Sequence, residues 1–279
     1  MLPVVRVCVL ALCGPLLLIA PVRARAQPMA QPMAQPMAQP MAQLLVRDST
    51  VGPDLPFPVG EVLDYQVRVS LGGTIGQGQM RVEGPVTERG VVTWRLVSEM
   101  NAKRAFVKAT DRTVSWLDPV RFASTRFEKI ERHPLSNAEE RVEIDAAAGT
   151  YRDAKGAPRV LGSTLPLDEL SFLYFLRTLP IGKDGTYHFH RHFDDARNPT
   201  MVSVGGEEVV DTPLGSFTTR VVIMHVRDPK HYKGVGLIKL NIDTSVCRLP
   251  VRITSRMPIV GTTTLTLVGR THPGHRCEP

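Results

Sequence analysis

Three histidines stand at alternate positions near the middle of the chain, where they could bind a metal ion. One residue separates His188 from His190 and His190 from His192, and two aspartates follow at positions 194 and 195. On a strand these positions share a face, so the imidazoles would lie about 6–7 Å apart. Imidazole binds zinc or copper, and an aspartate could add a fourth ligand. Because one straight strand does not readily close on an ion, the alternative is a solvent-facing row with Phe189 and Phe193 turned inward.

The chain carries no motif that would assign it to an enzyme class. Gly-x-Ser-x-Gly, the nucleophile elbow of serine hydrolases, is absent, and Ser163 and Ser216, which each follow a glycine, are typical of turns. Gly234 and Gly236 begin a strand-like run, whereas a phosphate-binding loop would lead into a helix. The sequence therefore predicts no catalytic residue and no cofactor.

A candidate ligand-binding segment is the one stretch with helical periodicity. Residues 167–177 follow a proline, and the acids Asp168 and Glu169 suit the first turn of a helix. The apolar residues extend most of the way round, which predicts a largely buried helix. The side chains expected to line a cavity are Phe172, Tyr174, Phe175 and Arg177.

Arg177 has a second interpretation that does not involve a ligand. Together with Tyr174 it could contact the polar end of a bound molecule. Alternatively, it could pair with an acid such as Asp168 or Glu169 and hold the helix in place.

The segments that must position these residues have the period of β-strands. Residues 63–71 alternate apolar and polar side chains, which is typical of a half-buried strand, and similar runs recur along the chain between short turns. About a dozen short strands predict an all-β, mainly antiparallel fold. We expect a curved meander, half-barrel or barrel with the single helix buried against its concave face.

The first 56 residues are typical of export rather than of a folded domain. Arg6, an apolar run and Ala24-Arg25-Ala26 have the order of a cleavable signal peptide over residues 1–26. Residues 27–42 are four copies of Gln-Pro-Met-Ala, and residues 27–56 are predicted to be a disordered linker. One β-rich domain over residues 57–279 completes the chain, and we expect it to be periplasmic or secreted. No transmembrane segment is expected after the signal is removed.

Charge and cysteine content limit the partners of the mature chain. The net charge of +7 falls to +4 when residues 1–26 leave, because they contain three arginines and no acid. No basic stripe with interleaved aromatics is present, so nucleic acid is not an expected partner. Cys247 and Cys277 remain, and an oxidising compartment favours a disulfide between them over two free thiols.

Four stretches together resemble an exported bacterial family known as domain of unknown function 3108. They are residues 57–65, the helix with Asp168, the Pro-Leu-Gly turn of residues 210–217, and residues 243–251, where an aspartate precedes a Pro-Val strand entry. The resemblance covers nearly the whole folded region and implies a β-rich fold. It also implies periplasmic half-barrel relatives, such as lipoprotein-carrier-like folds, that hold a hydrophobic ligand. It supplies no catalytic residues.

The sequence leads to three function hypotheses. In the first, an apolar cavity between sheet and helix binds a lipid or another hydrophobic small molecule without catalysis. In the second, the domain is a structural or interaction module of the cell envelope with a protein partner and no cavity of ligand size. In the third, the histidines at 188, 190 and 192 converge on a metal ion.

Overall fold

A computed structural model describes residues 55–70, 73–104, 107–133, 136–229, 234–257, 261–273 and 277. All of them belong to one compact unit, Pro40–Pro279. The predicted signal peptide and nearly all of the predicted linker lie outside the described residues. The described residues therefore belong almost entirely to the predicted β-rich domain.

The described part of the chain contains fourteen strands, one α-helix and one 3₁₀-helix, Asp195–Arg197, which lies between the ninth and tenth strands. In chain order the first eight strands and the helix are β1 Val62–Val69, β2 Gly73–Glu88, β3 Val91–Arg104, β4 Val107–Asp118, β5 Ala123–His133, β6 Ser136–Asp145, β7 Thr150–Asp153, β8 Arg159–Val160 and α1 Glu169–Leu176. The others are β9 Gly185–Phe189, β10 Thr200–Thr212, β11 Gly215–Arg227, β12 Val235–Asp243, β13 Pro250–Met257 and β14 Gly261–Thr271.

The strands form one antiparallel sheet that is not closed. Its order is β8-β7-β6-β5-β4-β3-β2-β1-β14-β13-β12-β11-β10-β9, so β8 and β9 are the two edges and β1 lies near the middle. Each half is a meander of neighbouring hairpins, and the pairing of β1 with β14 joins the halves. The predicted fold class, an all-β antiparallel sheet with one helix, is confirmed.

The alternation seen in the sequence decides which side chains reach the core. In β1, Leu63, Tyr65 and Val67 are buried, whereas Gln66 and Arg68 are exposed. Leu63 and Tyr65 join a large apolar cluster with residues of the helix and of both halves of the sheet. Burial of one face of each strand is the main stabilising contribution to such a sheet.

The loops that follow the two edge strands pair with each other. The Gly162 N–H donates to the Phe193 carbonyl at 2.9 Å, and the Phe193 N–H donates to the Leu167 carbonyl at 3.0 Å. Phe193 also packs on Phe127 and Tyr151 in a second, smaller apolar cluster. Irregular backbone thus links the two edges where the sheet itself does not close.

The helix is short and buried, as its composition predicts. It covers Glu169–Leu176, inside the predicted range of 167–177, and six of its eight residues are buried. Helices of this length are marginal in isolation, so packing against the sheet must supply most of the stability of α1.

A disulfide joins the last described residue to the loop after β12. Cys247 and Cys277 are bonded with their sulfur atoms 2.02 Å apart and their Cα atoms 5.8 Å apart. Both cysteines are buried in the main apolar cluster. The pairing predicted from the sequence is therefore present in the structure.

Candidate functional site

Asp168 fixes the beginning of the helix, whose first turns form one wall of a cavity. Its carboxylate accepts the backbone N–H groups of Leu170 and Ser171, both at 2.9 Å, and the Ser115 hydroxyl at 2.5 Å. The Ser171 hydroxyl in turn accepts the Asp168 backbone N–H, which completes a capping box. Burial raises the pKa of Asp168 to about 6, although the hydrogen bonds from Ser115 and Ser171 oppose the shift.

Arg177 fixes the end of the helix through a buried ion pair. Its guanidinium donates to both oxygens of Glu61 at 2.6 and 2.7 Å and to the backbone carbonyls of Pro56, Cys247 and Arg248 at 2.9–3.0 Å. Arg177 is 1% exposed and Glu61 is fully buried. The structure therefore gives Arg177 a structural contact.

The acid that pairs with Arg177 is not one of those expected from the sequence. Asp168 and Glu169 are the candidates on the helix, but Asp168 caps the opposite end and Glu169 contacts Arg197. Glu61 lies 116 residues away in the chain, so no local spacing could indicate it.

Tyr174 and Phe175 are core residues. The Tyr174 ring meets Phe57 edge-on with centroids 4.8 Å apart, and Phe175 packs in the same manner on Phe189 at 5.1 Å. The Tyr174 hydroxyl is buried with no hydrogen-bond partner in the described part of the chain. Burial raises the pKa of this hydroxyl. Of the four predicted ligand-binding residues, Phe172 alone lines the cavity at the first turns of the helix.

This cavity, of about 420 Å³, is lined by the first turns of α1 and by both halves of the sheet. Helix residues form one wall, strands β3 to β5 form a second, and strands β10 to β12 form a third. Its apolar lining residues are Leu170, Phe172, Leu173, Met224, Val226 and Ile238. Its charged lining residues are Lys129, Glu131, Glu169, Arg197, Arg227 and Asp228.

Five of these charged residues form one connected chain, which we call the charged network. Lys129 Nζ lies 2.9 Å from Glu131 and 3.9 Å from Glu169. Arg197 contacts Glu169 and, at 2.6 Å, Asp228. Burial alone would raise the pKa of Glu169, but the cations Lys129 and Arg197 outweigh it and hold that pKa at about 2. The carboxylate of Glu169 is therefore ionised across the physiological pH range.

A second cavity of about 600 Å³ lies beside β5, β6 and β7. It shares Lys129 and Glu131 with the first, but its other lining residues are mostly charged and include no large apolar side chain. Small-molecule sites are predominantly apolar with a few placed polar groups, so the first cavity is the better candidate.

The structure does not bring the three histidines together. His188 and His190 are exposed, whereas His192 is 5% exposed and lines the cavity. The strand ends at Phe189, so the alternation that would place three imidazoles on one face does not continue to His192. Phe189 and Phe193 are buried, as the non-metal interpretation expects.

Both ring nitrogens of His192 have polar neighbours. Its Nδ1 accepts the Asp194 backbone N–H at 3.0 Å, and its Nε2 lies 3.1 Å from Arg197 Nη1. Burial, and after it the charge of Arg197, lower the pKa of His192 to about 4. The imidazole is therefore neutral at neutral pH.

One set of potential metal ligands occurs in the described residues, and its chemistry does not suit an ion. Cys247, Cys277 and His272 have their ligand atoms within 4.8 Å of one another. The two sulfur atoms are bonded to each other, so neither is a thiolate.

Comparison with known proteins gives the chain a family. The model for a family described as a protein of unknown function, DUF3108, matches residues 64–268. The chain belongs to this family. The resemblance drawn from the four sequence motifs is thereby confirmed, and no curated protein matches the DUF3108 chain.

Similarity to a solved structure with a TM-score above 0.5 supports the fold of this DUF3108 protein and nothing further. A β-barrel-like protein of domain of unknown function DUF1849 from Brucella abortus has 14% sequence identity and a TM-score of 0.51, with 77% of this chain and 98% of that chain covered. A protein with a YmcC-like fold from Bacteroides fragilis has 15% identity and a TM-score of 0.30, with 78% and 98% covered. Within the described residues, no helix of the DUF3108 domain combines the length and apolarity needed to cross a bilayer.

Sequence reasoning missed most of the polar residues of this DUF3108 cavity. Lys129 lies on β5, Glu169 on the helix, Arg197 after β9 and Asp228 after β11, so the cavity collects them from distant parts of the chain. One feature of the sequence could have pointed to these residues: Glu169 is an acid within a helix that is predicted to be largely buried. A buried acid requires a cationic partner, but the sequence does not say which one.

Proposed function

We propose that this DUF3108 protein is exported and binds a lipid or another hydrophobic small molecule without catalysis. The observation that carries the proposal is the cavity between α1 and the two halves of the sheet, which has apolar walls and one charged network. Its volume of about 420 Å³ lies within the range of about 300–1,000 Å³ that is usual for small-molecule sites.

The chemistry of the walls favours an amphiphile over a fully apolar or a highly charged molecule. Leu170, Phe172 and Ile238 would contact an acyl or ring system. Lys129 and Arg197 are already paired with carboxylates, so they supply polarity without an uncompensated charge. Binding of the apolar part would be driven by the removal of apolar surface from water.

The ion pairs of the charged network also support a non-catalytic role. Within the described residues that line the cavity, each acid of the charged network contacts a cation. The pKa of Glu169, held at about 2 by those cations, does not suit a general acid or base. Asp168, whose pKa burial raises to about 6, is directed at the helix backbone and Ser115. The four candidate residues Phe172, Tyr174, Phe175 and Arg177 would act as cavity wall or as its support.

Native mass spectrometry of the protein, purified from its host without detergent, tests the proposal. We expect the mass of a chain that has lost residues 1–26 and carries a reproducible adduct that organic solvent extracts. A chain that keeps residues 1–26 would contradict export with signal cleavage. A bare mass would favour the alternative function, a structural or interaction module of the envelope that binds a protein.

A variant that fills the cavity tests whether a hydrophobic molecule binds there. N-phenyl-1-naphthylamine is an uncharged probe whose fluorescence rises in apolar surroundings. Leu173→Trp places a larger side chain in the cavity wall and should weaken probe binding about tenfold or more. Val209→Trp introduces the same side chain at a residue that is 68% exposed on β10 and should leave binding unchanged. Equal loss in both variants, or no probe binding to either, would contradict the proposal.

A further inference from the structure

His192 faces the cavity with a polar group for which the described part of the chain supplies no suitable partner. Nδ1 accepts the Asp194 N–H at 3.0 Å, and an accepting nitrogen cannot carry the proton of a neutral imidazole. The proton therefore belongs to Nε2. The polar group beside Nε2 is Arg197 Nη1 at 3.1 Å, and a guanidinium nitrogen can only donate.

Two donors therefore meet at one point of the cavity wall. His192 and Arg197 both line the cavity, and the imidazole is 5% exposed. A buried N–H without an acceptor costs about 1–3 kcal/mol, so an oxygen atom that accepts from both groups would relieve an unfavourable contact. This oxygen is the natural place for the polar end of a bound molecule.

The charged residues near His192 and Arg197 determine whether the oxygen of a bound molecule belongs to a charged or an uncharged head group. The lining residues contribute three cations, Lys129, Arg197 and Arg227, and the same number of carboxylates. Lys129 and Arg197 are engaged with carboxylates, and Arg227 is exposed to water. An anionic head group would be repelled by Glu169 and Asp228 and would find no unpaired buried cation to offset that repulsion. A cationic head group would be unfavourable because it would face the N–H donors of His192 and Arg197.

We propose that the cavity selects an uncharged amphiphile whose ester, amide or alcohol oxygen accepts hydrogen bonds from His192 Nε2–H and Arg197. This inference rests on the proposed function, since it names the chemical class of the molecule that the cavity takes. His192 is the residue that distinguishes this class from fatty acids and from long-chain amines.

Three ligands with the same chain length test the class. 1-Decanoylglycerol, decanoate and decylammonium are titrated at pH 7.5 against the protein carrying N-phenyl-1-naphthylamine. We expect the glycerol ester to displace the probe at about tenfold lower concentration than either charged ligand. Stronger displacement by decanoate or decylammonium would overturn the inference while leaving the proposed function in place. Absence of displacement by all three would contradict the proposed function itself.

Two variants of His192 separate ligand binding from a purely structural role. In His192→Asn, the amide oxygen can replace Nδ1 as acceptor of the Asp194 N–H, but no donor reaches the position of Nε2. In His192→Gln, the longer side chain can place an N–H near that position. The preference for the glycerol ester should fall to about twofold in His192→Asn and persist in His192→Gln. The reverse pattern, or an unchanged preference in both, would overturn the role of His192.

Discussion

At the scale of single residues, buried and half-buried ionisable side chains determine how the protein responds to pH. His192, Asp168 and Glu169 lie in or beside the first turn of the helix, and each has a shifted pKa. Their shifts do not act in one direction. His192 and Glu169 favour the folded state as pH rises, whereas Asp168 favours it as pH falls.

Asn in place of His192 should remove part of the acid sensitivity of the fold. Burial, and secondly Arg197, lower the pKa of His192 from 6.5 to about 4, so the unfolded chain binds a proton that the folded protein excludes. The stability contributed by the neutral ring is complete above pH 6.5 and is lost as pH falls toward 4. Between pH 7.5 and pH 4 the unmodified protein should lose about 3 kcal/mol more than His192→Asn. Urea unfolding at both pH values measures this difference.

The comparison of variants isolates His192 from its neighbours. The contribution of Asp168, whose pKa burial raises from 3.8 to about 6, is present below pH 3.8 and is lost as pH rises through 6. It occurs in both proteins and cancels. His188→Asn, at an exposed histidine of the same run, should follow the unmodified protein. The same pH dependence in all three proteins would contradict the lowered pKa of His192, because it would mean that the folded protein protonates this ring as readily as the unfolded chain does.

At the scale of elements, the helix is positioned by contacts at both ends rather than by its intrinsic propensity. Asp168 holds its first turn to β4 through Ser115, and Arg177 holds its last turn to the segment before β1 and to the loop after β12. The cavity wall therefore depends on both anchors, although neither anchor lines the cavity.

Asp168→Ala should loosen the helix by removing one of these anchors. The change removes the acceptor of two backbone N–H groups and leaves the Ser115 hydroxyl without that partner in a buried environment. We expect a loss of about 2–3 kcal/mol in the free energy of unfolding, measured with urea at pH 7.5. Asp145→Ala also removes an acceptor of a backbone N–H, that of Ala148, but at an exposed turn, and should cost less than about 1 kcal/mol. Equal losses would contradict the importance of burial at the cap.

At the scale of the whole molecule, the ion pair of Arg177 joins three distant segments. Glu61 precedes β1, Arg177 ends the helix, and Cys247 belongs to the disulfide loop after β12. Three of the four stretches on which the family resemblance rests therefore meet at one guanidinium. The Tyr65 hydroxyl, which donates to the Pro250 carbonyl at 2.9 Å, adds a second contact between the first and fourth stretches.

Glu61→Gln tests this junction. The variant leaves the buried Arg177 guanidinium without its counter-charge, so we expect the free energy of unfolding to fall by about 3–5 kcal/mol. Glu139→Gln changes a carboxylate that pairs with Arg132 and Arg141 at the surface, where it is 43% exposed, and should cost less than about 1 kcal/mol. Urea unfolding of both variants gives the comparison, and a similar small loss in each would mean that the junction is dispensable.

The sequence predicts the framework of the molecule well because local patterns control it. The alternation in residues 63–69 alone places Leu63, Tyr65 and Val67 on the buried face, and the wide apolar surface of residues 170–176 predicts a buried helix. The disulfide follows from the removal of the other cysteines with the predicted signal peptide and from the expected compartment. None of these inferences requires knowledge of which strands are neighbours.

The site is less predictable because pairings between distant segments create it. Glu61 reaches Arg177 across 116 residues, and His192 leaves the row of exposed histidines because the loop after β9 pairs with the segment after β8. Its backbone N–H donates to Asn198 Oδ1 at 2.9 Å, a further contact that strand periodicity does not predict. The three-histidine pattern leaves a metal site and a solvent-facing row as alternatives, and the fold exposes His188 and His190 but buries His192.

The position of β1 between β2 and β14 has a consequence for the newly made chain. The ribosome synthesises β1 to β8 before β14. Until β14 is made, the backbone N–H and C=O groups on one side of β1 lack the strand with which they pair in the folded protein. The contact between Tyr65 and Pro250 spans 185 residues, so these pairings give the fold a high contact order and predict slow folding. The nascent half-sheet therefore exposes an unpaired strand edge, the type of surface at which chains aggregate or chaperones bind, until β14 has emerged.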